Sequence, residues 1–306
     1  MSDSSKRFNF VGDFLGVALR TGFQVASRMG KLVFLKNDVF CQTEIYLKER
    51  NLKVDIWKKK NAAENLPVVF YIHGGAFKSL SKDTHWIMGS QFARAGYLTF
   101  VIDYRLAPKH PCPAALFDVM EAYHWICRNA AHYGGDCSRL ALAGESAGAN
   151  LALALTLALL RSFEGFESLT DAPIKPKVLL PAGGILAVSN TARFYQKLGR
   201  SKWEDVILQG MERDYQPLNH PLGNPLLFLE EGELLNDFPS TWILSSQDDV
   251  VLSDSLRLHE NLKERGVDVH LDCAYNEVHA FHAFLWKKTA RNSWKKKLDF
   301  LNSKMQ

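Results

Sequence analysis

Short apolar runs alternate along this chain with longer segments of helical period, a pattern that predicts a mostly parallel sheet flanked by helices. Residues 43–47 and 54–57 alternate or run apolar on either side of the polar Lys48-Glu49-Arg50-Asn51, which predicts a strand pair at one sheet edge. Continuous apolar runs at 67–72, 98–102 and 140–143 have the character of strands buried on both faces. Helical spacing covers 84–94 and 114–132, and the helix expected over 150–161 is apolar on every side, as a helix buried against a sheet must be. Further strands are expected at 178–181, 242–245 and 267–273, with a helix over 253–265 and another at the C-terminus.

One stretch breaks the alternation. Residues 183–237 hold helix-like 191–198 and 203–213 and a loop rich in proline, too much chain for a simple crossover. With the amphipathic helices expected in residues 1–40, this insertion is read as the second part of a two-part helical cap. The cap would lie across the carboxyl ends of the strands, where open α/β sheets place their ligands. Residues 41–182 and 238–306 are then the α/β core.

Composition narrows the function classes. A chain of 306 residues with 47% hydrophobic and 23% charged residues suits one large α/β domain. The formal charge of +4 is small, and the runs Lys58-Lys59-Lys60 and Lys295-Lys296-Lys297 are expected to be solvated faces, so nothing resembles a nucleic-acid footprint. Cysteines at 41, 112, 127, 137 and 273 lack metal-ligand spacing and suit reduced thiols of a cytoplasmic protein. The apolar N-terminal stretch 10–35 is interrupted by Asp13, Arg20, Arg28 and Lys31, which argues against a membrane span.

The chemistry centres on Gly144-Glu145-Ser146-Ala147-Gly148, which joins the run 140–143 to the helix after it. A serine on so tight a strand-to-helix turn needs glycine on both flanks, and the turn lifts its hydroxyl above the sheet beside unpaired helix N–H groups. Ser146 is therefore the candidate nucleophile. Such a serine needs a base, an acid to orient that base, and donors for an oxyanion. Asp248 and Asp249 follow the strand at 242–245, and His279 follows the last strand, the chain order of this fold class. The loop His73-Gly74-Gly75-Ala76 is small enough for close approach by its backbone, with Gly75, Ala76 and Ala147 the expected N–H donors and Gly74 part of the same site.

These residues carry a family resemblance. His73-Gly74-Gly75, Asp103-Tyr104-Arg105-Leu106-Ala107-Pro108, His110-Pro111, Pro113-Ala114-Ala115 and Gly144-Glu145-Ser146-Ala147-Gly148-Ala149-Asn150 together resemble the hormone-sensitive lipase family of α/β-hydrolases, the bacterial family IV esterases. The resemblance covers roughly residues 65 to 285. It implies an α/β-hydrolase fold and a carboxylesterase that uses a Ser-Asp-His triad, an acyl-enzyme and no cofactor or metal. The implied substrates are small esters of short to medium chain. The segment Asp249-Val250-Val251-Leu252-Ser253-Asp254 matches the family's acid at Asp249, and His279-Ala280-Phe281-His282 matches its base at the first histidine. The chain departs from the family pattern where Ala76 replaces a third glycine and across 179–184, at the cap junction.

The remaining conspicuous residues are expected to be structural. Asp103 and Arg105 are read as supporting partners, and His85, His110, His124, His132, His220, His259 and His270 as surface or helix residues. Phe194, Trp203 and Met211 are expected to pack. An amidase or aryl-formamidase would use the same machinery, and a ligand-binding receptor on this fold would lack the histidine that His279 provides. A small-molecule partner and a monomer or homodimer complete the expectation. Activity should rise with pH through the histidine's titration, about 6.5 if unperturbed.

Overall fold

A computed structural model describes residues 27, 29–31, 35, 37–170, 172, 174–196, 202–232 and 236–305. The helices expected in the N-terminal stretch therefore lie almost wholly outside the described residues. Eight strands form a single sheet in the order β1-β2-β4-β3-β5-β6-β7-β8. The first two, β1 (Val39–Leu47) and β2 (Leu52–Lys59), form the antiparallel edge anticipated from the polar four-residue break, where Asn51 takes a left-handed conformation. The parallel body comprises β3 (Leu66–Ile72), β4 (Leu98–Ile102), β5 (Gly135–Glu145), β6 (Val178–Ala182), β7 (Ser240–Ser246) and β8 (Val269–Ala274).

The described residues also hold helices α1 (Trp86–Arg94), α2 (Ala114–Asn129), α3 (Ala147–Leu160), α4 (Glu167–Thr170), α5 (Lys202–Tyr215), α6 (Pro225–Glu231), α7 (Leu252–Glu264) and α8 (Lys288–Lys304), besides short 3-10 turns. The apolar helix after the elbow behaves as its composition requires: every residue of α3 except Leu160 is buried. It packs among Phe70, Leu142 and Leu179 of the sheet and Leu222 and Leu226 of the insertion in one continuous core. A second, smaller core on the opposite face joins Tyr71, Val101 and Ala143 to Phe92 of α1 and to Trp294 and Leu301 of α8.

Strands extend past their apolar runs where a partner supplies the ladder. β5 begins five residues earlier than its run, because Leu66 and Pro67 of β3 pair with Gly135 and Asp136 before an irregularity restores the main register. The insertion between β6 and β7 holds short 3-10 turns besides α5 and α6. Its packing is apolar, with Phe194 and Met211 buried as expected, while the Trp203 side chain lies outside the described residues. Polar ties also fasten it, among them the buried Asp254 carboxylate of α7, which accepts from the N–H groups of Leu186 and Ala187 and pairs with Arg193 at 2.9 Å.

Two further expectations meet the structure differently. Lys295 and Lys296 are exposed, but Lys297 is buried, its ammonium 3.5 Å from the centre of the Trp294 ring. The long apolar stem lets a lysine cover an aromatic face in this way, and burial lowers its pKa to about 7. His85, read as a surface or helix residue, ends a 3-10 turn and is buried among the loops around the elbow. Arg105 and Asp103 are supports, as anticipated: the Arg105 guanidinium pairs with buried Asp118 at 2.8 Å, and Asp103 accepts from the Lys82 N–H. Among the described residues, no helix is long and apolar enough to cross a membrane.

Candidate active site

The elbow is held open by its two glycines. A methyl on Gly144 would meet the Gly148 carbonyl oxygen at 2.2 Å, and one on Gly148 would meet the Ile72 oxygen at 2.1 Å. No side chain fits either position, so β5, α3 and the end of β3 approach to backbone contact. Between them Ser146 has φ 56° and ψ −115°, a strained conformation that L-residues rarely adopt and that persists only where the surroundings enforce it. Its N–H donates to the Ala182 carbonyl at 2.8 Å, which ties the elbow to the end of β6.

The segment that receives this bond continues to the other candidates. Gly183 has φ +50°, and a methyl there would lie 3.0 Å from Asp249 Oδ2 and 3.2 Å from His279 Nδ1. Ala182 and Gly183 thus carry Ser146 on one side and the Asp249–His279 pair on the other. The pair itself is bidentate: His279 Nδ1 lies 3.0 Å from Asp249 Oδ1 and 2.9 Å from Oδ2. The carboxylate also accepts from the Val251 N–H at 3.0 Å and is 2% exposed, whereas the adjacent Asp248 is exposed. A buried carboxylate on Nδ1 fixes the imidazole tautomer in which Nε2 is the proton-accepting nitrogen. The His279 side chain is 36% exposed, which gives the ring access to a substrate.

The strand that precedes the glycine loop, β3, is paired with β5, so the loop starts beside the elbow. His73 is buried and stacked on Tyr104, with ring centres 4.2 Å apart, and its pKa is lowered to about 3, first by burial and then by neighbouring His85. It is neutral, and its Nδ1–H donates to the Gly74 carbonyl at 2.7 Å. His73 therefore supports the loop.

Gly74, grouped with the oxyanion site but not among its expected donors, directs its N–H at His85 Nε2, 3.4 Å away. Among the described residues, the N–H groups of Gly75, Ala76 and Ala147 have no hydrogen-bond acceptor. Ala76 holds φ +54°, so the residue that replaces the family's third glycine adopts a conformation glycine tolerates better.

Sequence reasoning passed over three neighbours of this site. Glu145 is buried beneath the elbow, with His282 Nε2 at 3.1 Å from Oε2 and His85 Nε2 at 3.7 Å from Oε1. Burial alone would raise the Glu145 carboxyl, but hydrogen bonding from His282 and His85 outweighs it and holds the group well below its ordinary range. His282 is itself lowered, chiefly by burial, with its Nε2 directed at the Glu145 carboxylate. Glu145 and His282 both fall inside motifs quoted above. No local pattern distinguishes a buried partner from a variable position.

Comparison with known proteins agrees with this architecture. A family model described as alpha/beta hydrolase fold matches residues 69–283. Carboxylesterase NlhH of Mycobacterium tuberculosis is 47% identical over 89 residues, which are 29% of this chain and only 28% of that protein. Esterase LipI of the same organism is 32% identical over 228 residues, 70% of this chain and 65% of the relative. The crystal structure of esterase LipW from Mycobacterium marinum is 25% identical and superposes with a TM-score of 0.81, covering 94% of this chain and 88% of that one.

Proposed function

Since this chain belongs to the alpha/beta hydrolase fold family, we propose that it is a serine carboxylesterase. The observation that carries this reading is the arrangement of groups around the Ala182-Gly183 segment. A strained elbow serine is bonded to one side of it, and a bidentate Asp249–His279 pair lies against the other. The esterases NlhH, LipI and LipW lend it support as relatives and structural neighbour.

In the proposed reaction His279 Nε2 takes the proton of the Ser146 hydroxyl as Oγ attacks the ester carbonyl, with Asp249 stabilising the imidazolium that forms. The tetrahedral oxyanion is received by the N–H groups of Gly75, Ala76 and Ala147. Each such donor contributes about 3 kcal/mol where its aim is good. The imidazolium then protonates the leaving alcohol, the acyl group stays on Ser146, and a water activated by His279 releases the acid. Residues 183–237 act as a cap in this reading and select acyl groups of short to medium length. Their docking beside the glycine loop supports that role, since Tyr215 at the end of α5 stacks on Phe77 with ring centres 3.7 Å apart.

The deciding experiment is hydrolysis of p-nitrophenyl acetate, butyrate, octanoate and palmitate at pH 7.5 by the wild-type protein and by Ser146→Ala. Rapid turnover of the shorter esters, lost on the order of a million-fold in the variant, is the expected result. Equal slow rates in both proteins would reject the reading.

A further inference from the structure

We infer that Glu145 is a positioning residue whose carboxylate holds the nucleophile, base and oxyanion loops in register; this rests on the function proposed above. Three loops must meet for that chemistry: the buried carboxylate belongs to the first, bonds His282 of the second, and reaches the third through His85. Glu145 is bonded in sequence to Ser146. Its Oε2 lies 3.1 Å from His282 Nε2, three residues beyond His279 on the same loop. Its Oε1 lies 3.7 Å from His85 Nε2, which is itself 3.4 Å from the N–H of Gly74, next to the donors Gly75 and Ala76.

The fit is close on every side. A methyl on Gly74 would come within 2.9 Å of the Glu145 carbonyl oxygen, 3.2 Å of Oε1 and 3.4 Å of Ser146 Cβ. His282 is held from the far side by the Trp294 indole N–H, which donates to its carbonyl at 2.9 Å. His85 is held by the Ser81 carbonyl at 3.1 Å and the Thr84 hydroxyl at 2.9 Å, both near Nδ1. The His282 backbone and the His85 ring are thus anchored, so the carboxylate lies between two held residues. A span of this kind sets the separation of His279 from Ser146 and of the oxyanion donors from both. A reacting geometry displaced by about 1 Å costs on the order of a hundredfold in rate.

The His282 contact, at 3.1 Å, asks for hydrogen bonding rather than net charge, which distinguishes positioning from electrostatics, while His85, whose Nε2 accepts from the Gly74 N–H, packs against the carboxylate at 3.7 Å. In Glu145→Gln the amide oxygen can accept from His282 and the amide nitrogen can face His85 Nε2. In Glu145→Ala neither contact survives. The test measures kcat, KM and the melting temperature of both variants with p-nitrophenyl butyrate. Glu145→Ala is expected to lose about thirtyfold in kcat with KM within twofold of wild type, and Glu145→Gln to recover most of that loss.

A loss carried by KM, a loss no larger than the fraction of unfolded protein, or a Gln variant as impaired as Ala would overturn the proposal. Should Glu145→Ala fail to fold, His85→Ala cuts the tie to Gly74 alone, and an unchanged kcat there would equally overturn it. A wild-type protein without ester turnover would reject the esterase reading only. The ties are then read from imidazole NMR signals: those of His85, His282 and His279 move together in Glu145→Ala if they exist, and an unmoved His279 refutes them.

Discussion

Gly183 lies directly against His279: a methyl on its α-carbon would sit 3.1 Å from the ring carbon Cε1 and 3.2 Å from Nδ1. The same methyl would stand 3.0 Å from Asp249 Oδ2, and φ of +50° adds backbone strain for any other residue. Gly183→Ala is therefore expected to push the imidazole off the carboxylate. Activity on p-nitrophenyl butyrate should fall at least tenfold, and stability by about 1 kcal/mol from the left-handed backbone alone. Steady-state kinetics with urea unfolding would check both, and an unimpaired variant would contradict the contact.

Asp248 and Asp249 are neighbours with opposite surroundings. Only Asp249 is buried and bonded to His279 Nδ1, while Asp248 is exposed. Asp249→Asn presents the imidazole with an amide and favours the wrong tautomer, a change that costs about ten-thousandfold in kcat in a serine protease triad. A loss of that order is expected here, with Asp248→Asn within twofold of wild type. Measuring kcat for the pair decides it, and the reverse ranking would reassign the acid.

Ala76 occupies a left-handed backbone conformation, φ +54°, that a β-carbon disfavours by about 1 kcal/mol. Ala76→Gly is expected to stabilise the protein by up to that amount, less the entropy glycine adds to the unfolded chain. Because the donor is a backbone N–H that the substitution retains, turnover of small esters should stay within about threefold, well short of the loss of a whole donor. Thermal melts alongside kinetics test this, and a clear destabilisation would show that the methyl makes contacts worth more than the strain.

Lys297 gives a pH dependence of stability with a definite sign. Burial lowers its pKa from 10.5 to about 7. Between those values the unfolded chain binds a proton that the folded protein does not, so this group makes stability rise with pH across that window. Below pH 7 both states are protonated and the full penalty applies, up to about 5 kcal/mol from the displacement. Lys297→Met, which keeps the stem over Trp294, should be more stable than wild type at pH 6, with the advantage shrinking toward pH 10. Urea unfolding of both proteins at pH 6, 8 and 9.5 would reveal it, and a gain independent of pH would exclude the lysine's charge as its source.

The parts legible in the sequence share one physical property: their signal is local. The runs at 67–72, 98–102 and 140–143 are strands because continuous apolar residues can be hidden only between helical layers, and all three lie in the centre of the sheet. Gly144 and Gly148 announce the elbow because no side chain fits where they sit. The order of Ser146, Asp249 and His279 follows from the order of the strands that deliver them.

Other features needed the tertiary structure. Lys297 stands in a run of three lysines, and only the packing of α8 decides that the third covers Trp294 while its neighbours face water. His85 resembles any polar helix residue until its turn folds onto the glycine loop and aims Nε2 at Gly74. Glu145, His282 and Gly183 have no sequence signature, because their meaning lies in contacts between loops distant in sequence. By itself, then, the chain determined the alternation of elements, the strained turn at Ser146 and the candidates for acid and base, all consequences of periodicity and backbone sterics. The tertiary structure alone decided which amide is already occupied and which charges are buried, and it set against His279 the carboxylate that the family resemblance pointed to, because solvation and hydrogen-bond geometry depend on distances that no local pattern encodes.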